Sequence, residues 1–178
     1  MRTATLVIVA YLLCVIVGAV WHTLPWVASA VPDLGALTAA YLGLTARRNV
    51  APAVGGSIVL GYLADLISGA PPGLIALVLG VTCVIARAVQ QRIYVRGATM
   101  TIAFSVFVSL LASVVAILVR ALYHVRSAAL PLELRHVAFA ALATGVVGPL
   151  VWRIFRRIDA FYARTHRERD HALEGLHT

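Results

Sequence analysis

Eighteen consecutive residues, Thr3 to Val20, pass without a charged side chain, and further apolar runs recur as far as Trp152. At about 1.5 Å of rise per residue such a run is about 27 Å long as a helix, enough to cross the hydrocarbon of a bilayer. The rest of the chain cannot offset this. Apolar residues make up 61% and charged residues 12%, against about 45–50% and about 25% in soluble domains. A chain of 178 residues folding in water keeps much of its surface exposed and has too little polar surface to cover it. The expected fold is therefore an all-α integral membrane protein with about six transmembrane helices.

Local signals divide the apolar sequence. The first run follows Arg2. A cleaved signal peptide is the rival reading, since Ala28-Ser29-Ala30 has the small residues of a cleavage site. The run is longer than a signal core, however, and Trp21-His22-Thr23-Leu24-Pro25-Trp26 separates it from Ala28, so a span is expected. Pro32-Asp33 opens a second helix: proline suits a first turn, and a carboxylate faces the positive end of the helix dipole. That helix is short, ending near Thr45 before Arg47-Arg48. A third starts at Val50 and closes in the turn from Asp65 to Gly73, where glycine and two prolines stop it. The fourth runs from Leu74 to about Ala88, the fifth from Ala98 to about Leu122, and the sixth from about Leu134 to Trp152. Residues 1–152 thus form the transmembrane domain and residues 153–178 a basic tail.

Charge orients the bundle. The net charge is +8, and every basic residue is arginine. The arginines punctuate apolar runs and make no stripe, so nucleic acid is not an expected partner. With six spans and the N-terminus inside, twelve of the fifteen arginines fall on the cytoplasmic side, leaving Arg120, Arg126 and Arg135 outside. Both termini are then cytoplasmic. In the tail, Ile154, Phe155, Ile158, Phe161 and Tyr162 alternate at helical spacing with Arg153, Arg156, Arg157 and Arg164, a pattern suited to the anionic inner leaflet. Trp21, Trp26 and Trp152 fall near span ends, where indoles favour the interface.

Few residues offer chemistry. Asp65 is the one acidic residue deep in an apolar run, where ionisable groups are costly and face a bundle interior or a cavity. It either hydrogen-bonds to the turn after it or contacts a partner or ligand. Gly61, Asp65 and Gly69 recur at four-residue spacing, so Gly61 and Asp65 share a face. Gly55, Gly56 and Gly61 allow close helix packing, within the chain or against another protein's helix. Cys14 and Cys83 sit inside apolar runs and read as small hydrophobes. His22, His124 and His136 map to one side but carry no metal-ligand spacing. There are no paired carboxylates, no nucleophile and base at a recognisable spacing, and no phosphate loop, so neither a catalytic residue nor a cofactor or metal is expected.

Taken together these residues carry a resemblance to a known family. Pro32-Asp33, Arg47-Arg48, and above all the stretch Gly55-Gly56 through Gly61-Tyr62-Leu63-Ala64-Asp65-Leu66-Ile67-Ser68-Gly69-Ala70-Pro71-Pro72-Gly73-Leu74 resemble the rod-shape-determining MreD family. From the fourth span onward the likeness is one of hydropathy. The resemblance implies a non-enzymatic subunit of the bacterial inner membrane that works with the bitopic protein MreC. Through MreC it would work with MreB, RodA and the elongation transpeptidase. It places the motif at Asp33, Gly61, Asp65, Gly69, Pro72 and Gly73, and implies a bundle resembling the S-components of energy-coupling-factor transporters. A vitamin- or metal-binding S-component is the alternative function, and would need a polar pocket reached from outside.

Overall fold

The computed structural model describes residues 2–23, 31–46, 49–69, 71–90, 98–122 and 130–174. Among these every regular element is helical: α1 Arg2–His22, α2 Leu34–Thr45, α3 Ala51–Ser68, α4 Leu74–Gln90, α5 Ala98–Leu122 and α6 Leu130–Glu174. Four of the six, α1, α3, α5 and α6, are long and apolar enough to cross a membrane. This is an all-α membrane protein.

Its surface is apolar, and its mostly apolar interior also holds small hydroxyl side chains. Large apolar side chains point outward, with Val146 81%, Leu118 68% and Leu142 63% exposed. Small hydroxyl side chains point inward: Thr38, Ser57, Thr82, Ser105, Ser109 and Thr144 are all fully buried. Water penalises the first arrangement and lipid does not, since exposed apolar patches of this extent are foreign to soluble monomers. In lipid, small residues at helix contacts permit close van der Waals packing. Most of the inward hydroxyls are satisfied within their own helix, as Thr38 Oγ1 is by the Leu34 carbonyl at 2.7 Å and Thr82 Oγ1 by Val78 at 2.8 Å.

The count of six spans needs correction at α2. This helix has twelve residues, about 18 Å, which falls short of the hydrocarbon thickness. Ten of the twelve are buried, and α2 touches all five other helices. Hydropathy alone cannot separate such a helix from a span, because a protein interior and a lipid tail are both apolar. α2 is the core of the bundle, and α4, with seventeen residues, is also below the length of an independent span.

Contacts set the helix directions. Ser105 on α5 lies where a side chain at Gly148 on α6 would be, and Arg120 on α5 meets Glu133 on α6 at 3.2 Å, so these two run antiparallel. Gly61 on α3 abuts Ala76 on α4, and Gly80 faces Ile58, giving a second antiparallel pair. The C-terminal end of α4 returns to that of α2, where the Arg87 guanidinium donates to the Ala46 carbonyl. The bundle thus has two ends. One carries Arg2, Ala46, Arg87 and Asp159; the other carries Asp33, Asp65, Gly73, Arg120 and Glu133.

The sixth helix is longer than expected. It begins at Leu130 and runs through Trp152 to Glu174 without a break, although Pro149 lies inside it. Residue 152 is therefore not a helix end. Phe155 is 1% exposed and belongs to the core, so the first turns after Trp152 are still part of the bundle, and Arg153, Arg156 and Arg157 project from its surface. Trp152 itself is a correction. It lies inside, 5.2 Å edge-on from the ring of Tyr41 and 6.0 Å from that of Phe104, and not at an interfacial belt.

Candidate functional site

The motif residues of α3 and α4 form one junction. Asp65 is 2% exposed and accepts three backbone N–H groups at the start of α4: Gly73 at 2.9 Å, Ile75 at 2.9 Å and Ala76 at 3.2 Å. A helix N-terminus leaves such donors unpaired and carries partial positive charge. One carboxylate from the preceding helix meets both needs. Asp65 lies at the unfavourable C-terminal end of its own helix but at the favourable N-terminal end of the next, which is the compensation its position requires.

The glycines make that reach possible. Gly69 closes α3 with φ of 65° and Gly73 enters α4 with φ of 95°, left-handed values that side chains resist. At Gly61 a Cβ would lie under 3 Å from the backbone of Ile75 and Ala76, so only glycine lets α4 come this close. Pro72 is exposed in the turn between them. Gly61, Asp65, Gly69 and Gly73 therefore act together, whereas Asp33 stands apart. It caps α2, its Oδ1 accepting from Ala36 N at 2.8 Å, while its own N–H donates to Thr144 Oγ1 on α6 at 2.9 Å.

At the opposite end lies a cluster with no motif in the sequence. The Arg2 guanidinium grips Asp159 with two bonds of 2.6 Å, and the Tyr41 hydroxyl donates to the same carboxylate at 2.6 Å. Thr5 and Tyr162 share a hydrogen bond of 2.6 Å one turn further along. These contacts join the start of α1 to α2 and α6. Their partners are 157 residues apart in the chain for Arg2 and Asp159, so no local pattern reveals them. Arg156 lies 5.6 Å above the Trp152 ring, a cation–π distance, while the indole N–H of Trp152 is buried without a hydrogen-bond partner among the described residues.

Two concavities complete the picture. A cavity of about 610 Å³ opens near the Asp33 and Asp65 end, between α1, the start of α2, the end of α3 and the start of α4. A shallower groove of about 320 Å³ runs along the outer face of α3 and α4, lined by Val54, Ile58, Leu77, Gly80, Val81 and Val84.

Other candidates resolve simply. Cys14 and Cys83 are free thiols, Cys83 buried in the core and Cys14 on the wall of the larger cavity. His136 is exposed and its Nδ1 lies 2.8 Å from the Leu132 carbonyl; His124, the His22 side chain, Arg47, Arg48 and the Arg164 side chain lie outside the described residues. Among the described residues no three His, Cys, Asp or Glu side chains cluster as metal ligands would.

Comparison with known proteins adds no relative: no family model, no curated protein and no solved structure matches this chain.

Proposed function

We propose that this chain is a non-catalytic, multi-span subunit of the bacterial inner membrane. In this reading it scaffolds the cell-wall elongation machinery in the manner of the MreD family, with an MreC-like bitopic protein as its direct partner. MreB, RodA and the elongation transpeptidase are reached through that partner. The observation that carries the reading is the α3–α4 junction: Gly61, Asp65, Gly69 and Gly73 are all used to fasten two helices, and none presents a reactive group to a substrate. A motif spent on rigidity suits a docking platform. The groove on the outer face of this fastened pair is apolar and follows α4 from Ala76 to Ile85, about 13 Å, which suits the packing of part of a partner's span. Charge supports the orientation, since Arg2, Arg87, Arg153, Arg156 and Arg157 gather at one end, against Arg120 and Arg135 at the other, and we assign the richer end to the cytoplasm.

Depletion should round rod-shaped cells, and the protein should co-purify with the bitopic partner. Val81→Trp and Val84→Trp, which fill the groove from its floor, should abolish co-purification while leaving the monomer folded. Normal cell shape after deletion, together with a soluble vitamin retained by the purified protein, would overturn the proposal in favour of the transporter.

A further inference from the structure

The larger cavity has the chemistry of an amphiphile site. Its walls are mostly aliphatic, with Tyr11, Cys14 and Ser68 among them, and Asp33 is the one charged side chain lining it among the described residues. Only Oδ1 of Asp33 is used in capping α2, and Oδ2 has no hydrogen-bond partner among the described residues. Around the cavity, Val15 is 43% and Ile67 62% exposed, apolar side chains that in a membrane meet lipid. At Gly18 a Cβ would meet nothing within 4 Å, so α1 leaves space here where a larger side chain would have closed it.

From this we infer that the cavity between α1, α2, α3 and α4 binds a membrane aminophospholipid, with an acyl chain against Ala64 and Ile75 and the primary ammonium paired with Asp33 Oδ2. Ligand sites of this kind are mostly apolar, with few polar groups that fix orientation. A carboxylate in an otherwise uncharged wall attracts an ammonium and repels a lone phosphate, which must remain at the water-facing mouth. The inference requires only that the protein lies in a bilayer, and stands whether or not the scaffold reading holds.

Photolabelling tests it. The full chain is placed in phosphatidylglycerol nanodiscs containing a trace of phosphatidylethanolamine with a diazirine on its acyl chain, and adducts are located by peptide mass spectrometry. Ala64 and Ile75 line the cavity and are half-buried, with surface that an acyl chain inside it can reach. Both should be labelled in the wild type. Gly18→Leu should reduce that labelling by about tenfold, equivalent to about 1.4 kcal/mol. Adducts on Leu118, which faces bulk lipid, should stay constant. Ala19→Trp at the mouth provides an independent block should Gly18→Leu fail to fold. Asp33→Asn keeps the cap of α2 and removes the charge, so labelling by the phosphatidylethanolamine probe should fall to the level given by a matched phosphatidylglycerol probe. Absence of adducts on Ala64 and Ile75 overturns the site. Equal labelling by the two probes in the wild type, unchanged by Asp33→Asn, overturns the ammonium assignment.

Discussion

Asp65 shows how one side chain can serve a helix other than its own. Truncation to alanine leaves three N–H groups unpaired in a setting where water does not replace the carboxylate. Losing a cap costs about 0.5–2 kcal/mol, and hydrogen bonds to charged groups are the stronger kind. Asp65→Ala should therefore destabilise by about 2–3 kcal/mol, read as a lower unfolding temperature in detergent. Asp65→Asn, which retains one acceptor oxygen, should lose about half as much. A second contrast separates two glycines. Gly61→Ala forces a methyl into the backbone of α4 and should cost about 1–3 kcal/mol as overpacking. Gly55→Ala meets nothing within 4 Å and should be neutral or stabilising by up to about 1 kcal/mol, since alanine is the better helix former. Equal effects at the two positions would refute the close α3–α4 approach. The sequence alone marks Asp65 as anomalous and the glycines as permissive, but its spacing does not reveal which backbone groups the carboxylate meets.

Helices show the same division. The starts and ends of α3, α4 and α5 follow closely from local chemistry, because proline, glycine and arginine act on the few residues beside them. α2 and α6 do not. The short apolar run of α2 reads as a span until its burial on all sides is seen, and α6 continues through Trp152 because Phe155 and Ile158 still have the bundle to pack against. The link between α1 and α6 is likewise a matter of tertiary contact. Arg2 and Asp159 are 38% and 21% exposed, so water weakens the pair and a contribution of about 0.5–1 kcal/mol is expected. A double-mutant cycle of Arg2→Ala and Asp159→Asn, measured by unfolding in detergent, should show coupling of that size. Additive effects would mean that α1 is held by apolar contacts alone.

At the scale of the molecule, the alternation of helix direction has a direct consequence. A cysteine replacing Arg157 and one replacing Glu133 should react with an impermeant maleimide from opposite sides of the membrane, with Ser68→Cys on the same side as Glu133→Cys. Labelling of all three from one side would break the topology. The background is clean only in a variant lacking Cys14, since Cys83 is buried.

Composition and the order of breakers were enough to determine that this chain lives in lipid, that its described residues fall into six helices, and that a tight turn joins the third to the fourth. These are properties of transfer out of water and of backbone conformation, both of which act residue by residue. Only the tertiary structure decided that α2 is sheathed by protein, that Asp65 caps α4, that Trp152 turns inward, and that Arg2 finds Asp159 across the length of the chain. Each depends on which surfaces meet in space, and an apolar side chain looks the same in sequence whether its neighbour is a lipid tail or another helix.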